Sequence, residues 1–318
     1  MNTTNLHFRS NRVRDIVRLF HEELDGMYGS GEVGVFLDML FEAFLGWDKV
    51  RLLTSREQTI DQSDLLRFHW ALEDLKKHRP IQHIIGHTDF CGCKIKVSSD
   101  VLIPRPETEE MVGWLIAGRS DTRSMNGRCS VVVQSNTKQR LNNERTTNEQ
   151  RTQIMDLCTG SGCIAIVLKK AFPSADVTAV DVSPAALEIA RQNAQNNGVE
   201  VRFMEADVLG GINGVTGPYG LIVSNPPYVM EKERAQMQRN VLDYDPSLAL
   251  FVPDDDPLRF YRAIATIAKK HLAKDGLLAV EINEALADET CAVFRAQGFT
   301  PKVHEDFRGK PRWISATR

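Results

Sequence analysis

No stretch of the chain offers the roughly 18 uninterrupted apolar residues that a membrane-crossing helix needs. The longest apolar candidate, Val33 to Trp47, carries Asp38 and Glu42 and reads as an amphipathic helix, so no membrane partner is expected. An excess of basic charge is missing as well. Thirty-nine Lys and Arg face 42 Asp and Glu, for a net charge of −3 and a pI near 6.3. That balance gives no support to a nucleic-acid partner, because a chain held on a phosphate backbone is usually strongly basic. Cysteine is sparse: six, scattered at positions 91, 93, 129, 158, 163 and 291. The opening run Met1-Asn2-Thr3-Thr4-Asn5 lacks the charged start and apolar core of an export signal, so reduced thiols in the cytoplasm are expected. Cys91-Gly92-Cys93 has no second Cys or His pair at zinc spacing, and no metal is expected. The two cysteines suit same-face positions of a strand. A Gly-Lys-Ser/Thr phosphate loop is also absent, which disfavours ATP.

The 318 residues, 42% hydrophobic and 25% charged, hold enough apolar side chains for two cores. Residues 1–80 read as a small helical bundle. Val13, Ile16, Val17, Phe20 and Leu24 recur at helical steps before Gly26, a stop signal. Val33, Phe36, Leu37, Leu40, Phe41 and Phe44 repeat the pattern before Gly46, and Leu65, Phe68, Leu72 and Leu75 do so before Pro80. Residues 81–102 change to a period of two, with Gly86 and Gly92 as turn makers, and read as a hairpin connector. Ile103-Pro104-Arg105-Pro106-Glu107-Thr108-Glu109 then leads into a helix through Trp114, its acids suited to the first turn. Residues 118–153 are rich in Ser, Thr, Asn, Gln and Arg and read as a flexible insertion.

From Ile154 the texture is α/β, short apolar strands alternating with helices. Asp156-Leu157-Cys158-Thr159-Gly160-Ser161-Gly162 leaves the first strand and opens a helix. Small residues there let the backbone approach a ligand, and free amides at the helix start favour acceptor groups. Asp181 follows Gly162 by 19 residues at the end of the second strand, where a carboxylate can take ribose hydroxyls. Ala165 fits the third small position of the dinucleotide pattern, so at this point both NAD and S-adenosylmethionine remain open. Asp207, after the third strand, can accept from an adenine amino group.

Ser224-Asn225-Pro226-Pro227-Tyr228 directly follows the fourth strand, at the sheet rim where α/β folds bind ligands. An amide or aromatic amine is a poor nucleophile because its lone pair is delocalised. Two acceptors that take both of its N–H groups would orient the nitrogen and favour its attacking form. Asn225 Oδ1 and the Pro226 carbonyl are two such acceptors, and the ring of Pro226 stiffens the second. Tyr228 offers a flat face against a planar group. The motif suits methyl transfer to a planar NH2 of adenine, cytosine or glutamine, which turns the cofactor choice toward S-adenosylmethionine.

These motifs together resemble the glutamine N5-methyltransferases of the HemK/PrmC family, which modify peptide chain release factors. The resemblance runs from the helical N-terminus through Ile103–Glu109, the glycine loop, Asn225–Tyr228, Tyr244-Asp245-Pro246-Ser247-Leu248-Ala249-Leu250 and a tail with Asp306, Gly309 and Arg312. It implies a Rossmann-like seven-stranded methyltransferase domain over 103–318, with residues 1–80 as a substrate-recognition bundle. It implies a role in translation termination, with the glutamine of a Gly-Gly-Gln loop as substrate. It puts cofactor binding on Cys158, Thr159, Gly160, Ser161, Gly162, Asp181, Val208 beside Asp207, and Asn225. It puts the substrate on Asn225, Pro226, Pro227 and Tyr228, with catalysis resting on Asn225, Pro226 and Tyr228. Cys158 replaces the family's first glycine, which a φ below zero would accommodate, and Asp245 stands where the family has Glu. The sister activity on a ribosomal protein glutamine shares this active site. Adenine-N6 methylation of nucleic acid also uses Asn-Pro-Pro-Tyr, but the mild acidity and the Pro-Arg-Pro-Glu-Thr run speak against it.

Overall fold

A computed structural model describes residues 10–118 and 152–318, so the stretch read as an insertion lies, but for its ends, outside the described residues. The chain divides into two compact units. One runs to Gly86 and includes Gln238–Tyr244; the other comprises His87–Met237 and Asp245–Arg318.

The first unit is helical: α1 (Val13–Tyr28), α2 (Ser30–Leu45), α3 (Lys49–Thr54), α4 (Gln62–Lys76) and α5 (Ile81–Ile85). Val13, Ile16, Phe20 and Leu24 are fully buried along one face of α1. Phe41 and Phe68 join Phe20 in the core, with ring centroids 4.6 Å apart for Phe41–Phe68 and 6.3 Å for Phe20–Phe68. Gly26 does not stop α1, as the spacing predicts; the helix runs on to Gly29, whose φ of 80° ends it. A glycine inside a helix costs only about 1 kcal/mol, and burial of the apolar stripe overrides that. Residues 81–85 are likewise helical rather than extended, capped by Gly86 at φ 81°. Tyr244 anchors its segment in this unit by donating from Oη to the Lys77 carbonyl at 3.0 Å.

The second unit opens with a hairpin, β1 (His87–Phe90) and β2 (Cys93–Lys96), whose turn is Cys91-Gly92. Both turn residues have positive φ, 47° and 73°, the backbone of a tight primed turn. Cys91 therefore sits at a corner and not, as the alternation suggests, on a strand face with Cys93. Its N–H is taken by the Glu109 carboxylate. Helix α6 (Pro106–Ile116) follows with Pro106 in its first turn.

Seven strands form one sheet. They are β3 (Gln153–Leu157), β4 (Asp176–Asp181), β5 (Arg202–Glu205), β6 (Tyr219–Ser224), β9 (Leu272–Glu281), β10 (Thr300–Glu305) and β11 (Pro311–Thr317), in the order β10-β11-β9-β6-β3-β4-β5, while the two-residue strands β7 (Val229–Met230) and β8 (Phe251–Val252) pair apart from it. β5, β4, β3, β6 and β9 run parallel, and β11 is antiparallel to both neighbours. Alternate strand residues feed two cores. Ile154, Val177, Ala179, Val223 and Ala279 pack with α7 (Cys163–Ala171), while Met155, Val180, Ile222 and Val280 pack with α9 (Arg259–His271) and α10 (Ala287–Ala296). This is the seven-stranded α/β domain the sequence leads one to expect. Helix α8 (Pro184–Asn196) starts as the sequence predicts, with Ser183 Oγ accepting from Ala186 N at 3.2 Å and Pro184 in the first turn. The chain winds from β3 outward to β5, then crosses back to β6 on the other side of β3. That reversal opens a crevice beyond the carboxyl ends of β3 and β6, where such sheets bind ligands.

Candidate active site

Leu157 and Ser224, the last residues of β3 and β6, are direct partners across the sheet. Ser224 Oγ donates to the Leu157 carbonyl at 2.7 Å. The glycine loop and the Asn-Pro-Pro-Tyr segment, 65 positions apart in sequence, therefore leave the sheet side by side.

Below the loop lies Asp156, wholly buried. Its Oδ2 accepts from Thr159 Oγ1 at 2.5 Å and from Ala165 N at 3.2 Å, which folds the loop back over the strand end. Burial pushes this carboxyl up to about 7 against the pull of those two donors. Asp181 holds the loop from the side: Oδ2 accepts from Gly160 N at 2.8 Å and Oδ1 from Ser183 N at 3.0 Å. Burial raises its pKa as well, with the Ser183, Gly160 and Val182 amides working the other way. Asn193, fully buried on α8, adds a strut by donating to the Ser161 carbonyl at 2.9 Å while it pairs with both backbone groups of Lys96.

The loop backbone is left-handed at three positions: Cys158 (φ 59°), Gly160 (53°) and Gly162 (79°). The condition under which a cysteine is accommodated at 158, a φ below zero, is not met. The sharp exit from β3 imposes a left-handed residue there, a conformation that costs a non-glycine residue about 1–2 kcal/mol. Gly162 has no room for a side chain, since a Cβ would sit 3.0 Å from Ala190 Cβ and 3.3 Å from Ile166 Cδ1. Gly160 faces open space, with nothing within 4 Å of a built Cβ. A ligand can therefore lie directly on its backbone.

That space is a cavity of about 240 Å³. Its lining includes Cys158, Thr159, Gly160, Ser161, Asp181, Asp207, Val208, Asn225 and Pro227. Gly162, Pro226 and Tyr228, also singled out from sequence, are not among its lining residues. Asp207 caps a one-turn helix, Oδ1 accepting from Leu209 N at 2.9 Å, so its other oxygen is the one left to a ligand. Tyr228 Oη instead donates to Glu281 Oε1 at 3.0 Å. An open backbone cradle, a carboxylate at a strand end and apolar walls from Val182 and Leu248 fit a nucleoside with a sulfonium side arm. A protonated thiol suits that company. Burial, with the carboxylates of Asp181, Asp156 and Asp207 nearby, drives the Cys158 pKa far up and keeps its sulfur non-nucleophilic.

Two walls of the cavity come from the run at 102–108 and from residues 246–249. Arg105 and the buried carboxylate of Asp245 pair beside them, tying one wall to the other. Aspartate at 245, where the resemblance leads one to expect glutamate, reaches the guanidinium directly. Burial raises its pKa to about 6 even so, although Arg105 opposes the rise.

Two regions of the chain match family models: residues 135–243 match the methyltransferase small domain and residues 29–86 the PrmC N-terminal domain. The chain is 36% identical over 296 residues to the release factor glutamine methyltransferase of Flavobacterium psychrophilum, covering 93% of this chain and 95% of that one. It is 35% identical over 311 residues to the enzyme of the same name from Bacteroides thetaiotaomicron, covering 97% and 100%. The chain belongs to the release factor glutamine methyltransferase family. Membership of that family and the methyltransferase domain make S-adenosylmethionine the cofactor of this chain.

Thr108, which lines the cavity, and Glu281, whose Oε1 accepts from Tyr228 Oη, are neighbours of the candidate site that motif reading passed over. Thr108 lies inside the Pro-Arg-Pro-Glu-Thr run, which marks the family without declaring a role for each member. Glu281 ends β9, one strand away from Asn225. A lone carboxylate at a strand's carboxyl end was the available signal.

Proposed function

We propose that this chain transfers a methyl group from S-adenosylmethionine to the side-chain amide nitrogen of a glutamine in peptide chain release factors, in the cytoplasm. The observation that carries the reading is Asn225, which lines the same cavity as Gly160 and Asp181 and whose Nδ2 is already committed to Thr108 Oγ1 at 3.0 Å. Its Oδ1 is thereby left to accept from a substrate N–H.

When bound, S-adenosylmethionine supplies a methyl carbon on a positively charged sulfur, a donor that needs no further activation. Gly160 and its loop neighbours Cys158 to Ser161 would hold the methionine end by backbone approach, with Gly162 closing the turn behind them; Asp181 would take the ribose hydroxyls, and Asp207 with Val208 would receive the adenine. Asn225 Oδ1 and the Pro226 carbonyl accept the two N–H groups of the glutamine amide. Held by both hydrogens, the nitrogen is turned out of conjugation with its carbonyl and aimed at the methyl carbon. Pro227 walls the cavity, and Tyr228 limits the tilt of the amide plane. No side chain is required to take the proton, because methylation makes the nitrogen acidic enough to release it to water. The helical unit recognises the release factor, and nucleic acid is not a direct partner.

Incubation of the purified protein with labelled S-adenosylmethionine and a panel of release factors, ribosomal proteins and DNA tests this reading. One methyl on a release factor glutamine, located by peptide mass spectrometry, is the expected result. No increment on any folded release factor, with cofactor bound, refutes it.

A further inference from the structure

The catalytic segment is held from behind by a chain of hydrogen bonds that no motif describes. Thr108, on the first turn of α6, and Glu281, the last residue of β9, are each only 2% exposed. Thr108 Oγ1 donates to Glu281 Oε2 at 2.6 Å, Asn225 Nδ2 donates to Thr108 Oγ1 at 3.0 Å, and Tyr228 Oη donates to Glu281 Oε1 at 3.0 Å. A hydroxyl has one proton. Once that of Thr108 is given to a carboxylate, its oxygen can only accept, and the group that faces it must be a donor. From these contacts we infer that Thr108 and Glu281 are positioning residues that fix which way the Asn225 carboxamide points, keeping its oxygen toward the substrate. The same carboxylate steadies Tyr228, so one buried group sets both ends of the tetrapeptide. The inference deepens the proposed methyl transfer and rests on that reading for its kinetic consequences.

The direction of the chain depends on Glu281 being ionised. Protonated, it would donate toward Thr108 or Tyr228; a reversed Thr108 hydroxyl would then point at Asn225 and select its oxygen, the wrong orientation for catalysis. Burial raises the Glu281 pKa and Glu107 adds to the rise, while the Thr108 and Tyr228 hydroxyls and Arg312 oppose it, and Glu281 in turn raises the pKa of Tyr261 and Cys163. Burial pushes Glu281 up to about 7, within reach of an ordinary assay.

The test compares wild type with Thr108→Val, Thr108→Ser and Glu281→Gln in kcat, KM for the release factor and Kd for S-adenosylhomocysteine between pH 6 and 9. Thr108→Val should lower kcat by about 100-fold, the scale of a misplaced catalytic group, with cofactor Kd within about twofold. Thr108→Ser should restore kcat to within about threefold, since it keeps the hydroxyl. Wild-type kcat should rise through neutrality, and Glu281→Gln should be slow and without that rise. Independently of turnover, the Asn225 side-chain NH2 resonances, assigned by their loss in Asn225→Ala, should exchange slowly with water in wild type. They should exchange fast in Thr108→Val. Retention of kcat by Thr108→Val, equal impairment in Val and Ser variants, or unchanged NH2 exchange overturns the inference. Slow exchange lost in Thr108→Val, alongside a wild type that methylates no release factor, leaves the amide lock standing and removes the proposed function instead.

Discussion

Replacement of Asp181 by alanine should damage two properties at once. Sequence reasoning assigns this residue to the ribose hydroxyls, and on that basis alone only cofactor binding would suffer. In the structure each oxygen also accepts a backbone N–H, from Gly160 at 2.8 Å and Ser183 at 3.0 Å, and these bonds shape the glycine loop before any ligand arrives. A hydrogen bond to a charged group contributes about 1.5–3 kcal/mol. The two stranded donors border a cavity that water can enter, which favours the low end, so a loss of about 3 kcal/mol is expected. At about 2–4 °C per kcal/mol for a domain of this size, Tm should fall by about 6–12 °C. Loss of the grip on two hydroxyls should weaken S-adenosylhomocysteine binding by at least about 30-fold, at 1.4 kcal/mol per tenfold. Asp181→Asn sharpens the test, because its amide presents one acceptor and turns an NH2 toward the other backbone donor. It should lose about half the stability that alanine loses and bind the cofactor nearly as poorly. Differential scanning fluorimetry and titration calorimetry read both quantities. A Tm within about 1 °C of wild type for the alanine variant would show that the loop does not depend on Asp181.

Gly160→Ala and Gly162→Ala should separate by degree: each puts a side chain on a left-handed residue at about 1–2 kcal/mol, but a Cβ at 162 also meets Ala190 at 3.0 Å and should cost about 1 kcal/mol or more beyond that, whereas one at 160 enters open space and should add a loss of cofactor binding. If the 160 variant binds S-adenosylhomocysteine normally, the cofactor does not lie on that backbone. Asn225→Ala should abolish methyl transfer while Kd for the cofactor changes by less than about fivefold, and a near-normal rate would refute the role given to its oxygen. Asp156 and Glu281 carry folded pKa values of about 7, and Asp245 of about 6, all above ordinary values of 3.8 to 4.5. Each holds its proton more tightly folded than unfolded, so its stabilising contribution is full below about pH 4 and is lost as pH rises through 6 to 7. Tm should accordingly be higher at pH 5.5 than at pH 8 in a low-salt buffer, and the opposite slope would contradict the burial of these acids.

Much of the domain is readable from local pattern because local pattern is what causes it. The strand at 176–181 and the helix at 184–196 follow from an apolar run, a serine cap and a proline in the first turn. The same rules mislead where long-range packing outweighs them. Gly26 is tolerated within α1 because the helix buries Phe20 and Leu24, and Cys91 is a turn residue because its backbone amide is captured by Glu109 from another element. Within the site, the residues that carry a motif were legible as a motif, while their supports were not. Thr108 meets Glu281 across 173 positions and Asn225 across 117, and Asn193 reaches Ser161 of the glycine loop across 32. Such pairings are created by the sheet order, which no single segment encodes.

The buried acids show what the domain gives up for its site. Asp156, Asp181, Asp245 and Glu281 all have carboxyl groups that burial pushes toward the neutral form. Their partners are mostly backbone amides and hydroxyls, with a guanidinium bonded directly only to Asp245. Donors of this kind do not offset desolvation fully, but they are directional in a way that a mobile cation is not. Each acid converts that cost into a fixed position: Asp156 and Asp181 for the glycine loop, Asp245 for the cavity wall, Glu281 for the catalytic segment. The ionised form that fixes Asn225 is therefore the less stable form of the domain. Activity and stability should run in opposite directions across neutral pH, and a shared upward slope would mean that Glu281 is not the group that sets the orientation.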